Sequence, residues 1–290
     1  MCSAIYLVGS GEGQWRAEAC TAGAQRDTRP PILVTALLLL AFALSLANLR
    51  LQAQEPDFTA AGVVNGASFA AGLSPGAIVT IFGKGLTKDV KGVILANKTP
   101  LPDELAGTSV LFGTIAAPLF AIANVNGQEQ INLLVPYELT GQKSTTIVVN
   151  NNGAKSAAVT VDVLETFPGI FTVDGTSGAI LTADNRLVTS SNPAKRGEVV
   201  VIYCTGLGPV SPAPKTGASA AASPLSLTAL LPAVTIGGSK ADVLFSGLAP
   251  GFAGLYQVNV RVPALGPSGN LDVVIEAGGV SSKVVKLAVQ

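Results

Sequence analysis

The residues that carry most hydrolytic and metal chemistry are missing or ill-spaced in this chain. There is no histidine, the commonest general base and metal ligand. Serines are numerous, yet no GxSxG elbow occurs, and no motif marks a Ser–Lys dyad. Asp103 and Glu104 are paired carboxylates in a loop-like stretch. General acid–base work needs a second acid at a defined place, and none is recognisable, so the pair reads as solvated. Asp174 and Asp184 are the remaining thought for calcium, but no DxDxDG-like spacing surrounds them. Gly83-Lys84-Gly85 and Gly206-Leu207-Gly208 are lone GxG fragments. No helical pattern follows either, and neither completes GxGxxG or a P-loop, so both read as turns. Cys2, Cys20 and Cys204 form no CxxC pair, which removes zinc-ribbon and thioredoxin-type sites. The expectation is a non-enzymatic chain with no catalytic residues, no cofactor and no metal.

The elements around these residues are read from composition. Hydrophobic residues make up 48% of the 290 positions and charged residues 12%, with 32 glycines and 18 prolines. Val, Ile, Ala and Leu interleaved with turn formers point to an all-β chain. Formal net charge is zero, so nothing favours nucleic acid. No block of five like charges offers a polybasic membrane patch.

The N-terminus reads as an export signal. Arg26 and Arg29 precede an uncharged run from Ile32 to Leu49, and Leu51-Gln52-Ala53 follows as an A-x-A-like exit. A basic region, an apolar core and a small-residue exit make a secretory signal peptide. An uncleaved membrane anchor is the alternative, since the run is near the lower spanning limit. Residues 1–25 fit neither reading and point to a start codon assigned too far upstream. After cleavage only Cys204 remains, inside Val199-Val200-Val201-Ile202-Tyr203-Cys204. It reads as a buried, inert thiol on a strand. The chain is expected to be secreted or held at the cell envelope.

Self-comparison gives the domain plan. Residues 75–86, PGAIVTIFGKGL, match 196–207, RGEVVVIYCTGL. Val110-Leu111-Phe112-Gly113 answers Val234-Thr235-Ile236-Gly237, and Gln130-Ile131-Asn132-Leu133-Leu134-Val135-Pro136 answers Gln257-Val258-Asn259-Val260-Arg261-Val262-Pro263. The matches are collinear, so the chain divides into a signal region 1–53, a first domain 54–166, a connecting hairpin 167–185 and a second domain 186–290.

Each copy holds short strands with turn signals between them. They are expected near 77–82, 108–112, 117–123, 130–135, 144–150 and 157–164, and near 198–204, 233–237, 241–246, 255–262, 271–277 and 283–289. Asn152-Gly153 and Gly278-Gly279 mark matching tight hairpins. That is the pattern of two tandem immunoglobulin-like β-sandwiches. The Cys–Trp–Cys signature of antibody domains is absent, since Trp15 is the only tryptophan. Within the matched strand, Ile131, Leu133 and Val135 face inward, as do Val258, Val260 and Val262. Gln130 and Asn132, with Gln257, Asn259 and Arg261, then form an outward polar stripe present in both copies. It is read either as a plain solvent-facing or inter-domain strand or as a recognition face. Long loops at 87–106 and 208–231 carry Ala, Ser and Pro and read as mobile.

Further stretches carry a family resemblance. They are Val64-Asn65-Gly66-Ala67-Ser68-Phe69, Pro168-Gly169-Ile170-Phe171-Thr172, Asn192-Pro193-Ala194, Tyr203 to Pro209, and Gly247 to Asn259. With the repeated motifs they resemble an uncharacterised C-terminal domain family abundant in Acidobacteria of the Solibacter type. That resemblance implies exported proteins whose copies are similar to IPT/TIG-like immunoglobulin domains. The functional expectation is an exported interaction or structural protein for adhesion or scaffolding, with an extracellular protein or polysaccharide as partner. A carbohydrate-binding module is the alternative, and an unfamiliar hydrolase a third reading. Contact with a membrane would come only through an uncleaved N-terminal segment.

Overall fold

The second of the two repeated strand patterns begins earlier than its sequence match. In the computed structural model, which describes residues 55–87 and 90–290, Gly169–Ile170 and Ile180–Thr182 both pair with Val199–Thr205. They occupy the place that Asp57–Asn65 takes beside Ile78–Lys84 in the first copy. The 167–185 segment, expected as a connecting hairpin, is thus drawn at both ends into the second sheet. A free ladder edge on Val199–Thr205 explains this, because unpaired backbone N–H and C=O groups are costly when buried. The signal region 1–53 lies outside the described residues.

The protein is all-β, with immunoglobulin-like sandwiches. In the first, one sheet runs in the order Asp57–Asn65, Ile78–Lys84, Gln128–Leu134, Leu119–Val125 and Gly92–Leu95. The facing sheet is built on Thr108–Phe112 and Ser144–Asn151. Val79, Ile81, Ile131 and Leu133 from one sheet meet Val110, Phe112, Ile147 and Val149 from the other. Strict alternation along each strand supplies these inward residues.

The second sandwich repeats the plan. Val199–Thr205, Tyr256–Arg261 and the far half of Ser239–Leu248 form one sheet; Ala233–Ile236, Gly269–Ala277 and Val285–Val289 form the other. Ser239–Leu248 is long enough to pair in both and joins them. Registers agree between copies: Val79 lies opposite Leu133 and Val200 opposite Val260. Even the irregularity is repeated. A register shift falls between Leu119 and Ala121 in one copy and between Val243 and Phe245 in the other. Each bulge expels one residue, Phe120 or Leu244, and re-aims its side chain.

The tight hairpins follow their turn chemistry. Asn152 and Gly153 have φ of 51° and 89°, and Gly278 and Gly279 have 55° and 80°. Both central residues are left-handed, as this turn requires. The long loops are partly ordered: 87–106 contains the strand Gly92–Leu95, and 208–231 contains Val210–Ser211 paired with Leu227–Thr228.

One core does not stop at the module boundary. Leu134 and Tyr137 of the first copy belong to the apolar cluster of the second, and Phe120 packs against it. Hydrogen bonds stitch the same joint. The Ile78 amide donates to Thr205 Oγ1 at 2.8 Å, and Thr205 Oγ1 donates to the Gly254 carbonyl at 3.4 Å. Asn65 Nδ2 donates to the Phe167 carbonyl at 2.8 Å, and the Leu101 amide to the Gly217 carbonyl at 2.9 Å. Lys283 Nζ reaches the Ser68 carbonyl at 2.6 Å. Both cores lie wholly between Phe58 and Val289, and this region forms one compact unit.

Candidate outward-facing recognition surfaces

The repeated strand that carries the polar stripe is central in its sheet in both copies. Ile131, Leu133, Val258 and Val260 are fully buried on its inner side. Gln130, Asn132, Gln257 and Asn259 are half-buried on its outer side, and Arg261 is exposed. Cross-strand neighbours of an outward residue also point outward. Phe82 lies opposite Gln130, and Tyr203 opposite Gln257. Each copy therefore sets an aromatic ring beside a glutamine.

The two surfaces then diverge. In the first, Asn132 Oδ1 accepts from Thr80 Oγ1 at 2.8 Å. The Phe82 ring is met by Phe69, with centroids 6.4 Å apart and planes at 37°. The other cross-strand neighbours of the stripe are Ala121 and Ala123. In the second, Asn259 lies opposite Phe245 and Gln257 opposite Gly247. The Phe245 ring leans over Gly247, where an added Cβ would come within 3.0 Å of its Cζ. Gln257 Nε2 donates to Asn259 Oδ1 at 2.8 Å. Arg261 stands one pair further along, opposite Asp242, and donates to the Gly197 carbonyl at 2.9 Å. It belongs to the end of the strand and not to the aromatic group.

The aromatic partners Phe82, Tyr203 and Phe245 are the part that sequence reasoning left out. Extending the alternation from the matched strand Ile78–Lys84 would have placed Phe82 and Tyr203 on the outer side. Phe245 sits just after the bulge, where alternation alone misassigns the side.

The other chemistry-bearing residues are dispersed. Asp103 and Glu104 are exposed. Gly85 and Gly206 turn with φ of 64° and 79°, and Gly206 lies hard against the Phe167 carbonyl. The Asp174 carboxylate accepts from the Ser177 and Thr176 amides, and these bonds hold it below the usual carboxylate range. The Thr182 hydroxyl and then Arg186 do the same for Asp184. Among the described residues, no group of three His, Cys, Asp or Glu side chains is placed to hold a metal. A shallow cleft of about 270 Å³ opens at the module joint, with Pro75, Thr140, Lys143, Glu165 and Pro209 on its walls.

Cys204 is fully buried, and its neighbours are apolar. Burial pushes its thiol well up, which leaves no thiolate for chemistry. Burial also raises the Tyr137 phenol and, with the nearby Tyr137 and Cys204, the Tyr256 phenol. Tyr256 Oη donates to the Gly208 carbonyl at 2.5 Å. Ser74 Oγ and Tyr137 Oη are buried without a protein partner among the described residues.

No protein-family model matches the chain, and no curated protein matches it. Several solved structures are similar at low identity. SGBP-B from a complex xyloglucan utilization locus in Bacteroides uniformis is 12% identical over 74% of this chain and 46% of its own, with a TM-score of 0.26. SGBP-B of the Bacteroides ovatus mixed-linkage glucan utilization locus, in complex with a mixed-linkage heptasaccharide, is 12% identical over 76% and 42%, with a TM-score of 0.28. The I9–I11 tandem of titin is 10% identical over 81% and 65%, with a TM-score of 0.22. The chain spans less than half the length of the two SGBP-B chains. Likeness at this level concerns the fold alone, and the glycans named belong to those proteins.

Proposed function

We propose that this chain is exported and acts without catalysis, as a two-module binding or structural protein of the extracellular space or cell envelope. The observation that carries the reading is the joint. The apolar cluster of the second sandwich takes in Leu134 and Tyr137 of the first, with Phe120 packed against it, so the joint is an apolar packed one that sets two outward sheet surfaces side by side. A packed joint lowers the entropy lost when a partner binds both modules. The apolar run Ile32–Leu49 behind Arg26 and Arg29 supports export.

The test uses residues 54–290, which contain both cores. The purified protein is applied to insoluble cell-envelope material and to polysaccharide matrices, and soluble products are assayed alongside. Retention without release of reducing sugar, peptide or free acid is the expected result. Turnover of the matrix would overturn the non-enzymatic reading, and failure to be retained on any matrix would overturn the binding one. N-terminal sequencing of protein recovered outside the cell is expected to start at Gln54.

A further inference from the structure

We infer that the outer surface of the second sandwich, around Tyr203, Phe245, Gln257 and Asn259, is a binding platform for a neutral polysaccharide chain. The inference rests on the binding role above and names the ligand class for one surface. A sugar ring presents an apolar C–H surface and an array of hydroxyls, each both donor and acceptor. A protein meets it with an aromatic ring and with uncharged donor and acceptor groups fixed close together.

That set is present here. Tyr203 and Phe245 stand on the two strands flanking Tyr256–Arg261, with Gln257 and Asn259 between them. The Gln257 Nε2 to Asn259 Oδ1 bond orients both amides. It leaves Gln257 Oε1 as an acceptor and Asn259 Nδ2 as a donor, neither with a protein partner among the described residues. An adjacent acceptor and donor match two neighbouring hydroxyls of a sugar. All four side chains are half-buried, so they are held in place yet open to solvent. The charged pair on the same strands, Arg261 and Asp242, lies beyond them at the strand end, which favours a neutral ligand over an anionic one.

The first sandwich lacks the same offer. Ala121 stands where Phe245 does, so no ring flanks the amides from the second neighbouring strand. The binding strength is therefore placed in the second copy.

Native affinity electrophoresis of residues 54–290 tests this, with hydroxyethyl cellulose, mixed-linkage β-glucan or galactomannan in the gel and alginate as the anionic control. Retardation is expected with at least one neutral polymer and not with alginate. Tyr203→Ala and Phe245→Ala are each expected to weaken it about tenfold, the scale of a lost stacking contact. Gln257→Glu, which keeps the shape and adds charge, should do likewise, while Tyr203→Phe and Phe82→Ala should retain it. Unchanged urea midpoints identify these losses as binding effects. No retardation by any neutral polymer, retardation by alginate alone, or equal affinity in both alanine variants would each overturn the inference. Retention on cell-envelope material that survives both alanine substitutions would overturn the glycan platform and leave the wider binding role standing.

Discussion

The same strand ends differently in the two sandwiches. Leu134 in the first is fully buried against the second module, whereas its counterpart Arg261 is exposed. The bulge residues part in the same way: Phe120 packs on the second core, and Leu244 is 52% exposed. Gly76 and Gly197 share φ near 75°, at 74° and 76°. A Cβ on Gly76 would strike the Tyr137 ring and come within 2.8 Å of the Tyr256 hydroxyl, while a Cβ on Gly197 would meet nothing within 4 Å. On the receiving side, Tyr256 stands where the first copy has Glu129. Duplication supplied two equal frames, and the joint is written only in the residues that differ between them.

Paired substitutions sharpen or break this comparison. Gly76→Ala combines left-handed strain with overpacking and is expected to cost about 4 kcal/mol. Gly197→Ala carries the strain alone and should cost about 1 kcal/mol. Urea midpoints of the two proteins measure the gap, and equal losses would mean that the joint is not packed as described. Leu134→Ala is next, at about 3 kcal/mol for a cavity in a shared core. Arg261→Ala should stay within about 0.5 kcal/mol of the parent.

Alkaline pH probes the core around the joint. The folded state keeps Cys204, Tyr137 and Tyr256 neutral because burial raises all three. In the unfolded chain a cysteine ionises near about 8.5 and tyrosines near about 10. Above those values the unfolded state binds fewer protons than the folded one, so stability falls as pH rises. The expected decline begins near about pH 9 and steepens above about pH 10. Cys204→Ser should remove its onset near about pH 9, at some cost in packing; an unchanged profile in that variant would assign the effect elsewhere. The bulge residues form a further contrasting pair. Phe120→Ala should lose about 2 kcal/mol, and Leu244→Ala within about 0.5 kcal/mol, by thermal unfolding.

Much of this architecture was legible from residues alone. The matched strands, the inward alternation of Ile131 and Val258, the glycine hairpins and the buried Cys204 follow from local pattern, which a sequence displays directly. The first strand of each sandwich was not. Asp57–Asn65 has Gly62 within it and Ala60-Ala61 beside it, and Ile180–Thr182 is only three residues long. Neither carries a clear period, and each is fixed by the long-range edge it pairs with. Half of the proposed platform was legible as well. Gln130, Asn132, Gln257 and Asn259 stood out because both copies have them. Tyr203 and Phe245 did not, since their nearness to the amides depends on cross-strand register and on a bulge.

Equilibrium urea unfolding of residues 54–290, followed by tyrosine fluorescence and far-ultraviolet circular dichroism, tests the shared core most directly. Tyr137 and Tyr256 at the joint supply two of the three tyrosine signals, the third being Tyr203, and circular dichroism reports both sandwiches. One coincident transition is expected for the parent, with Leu134→Asp separating it into two. Two transitions in the parent protein would contradict the account, because the modules would then be folding as independent beads.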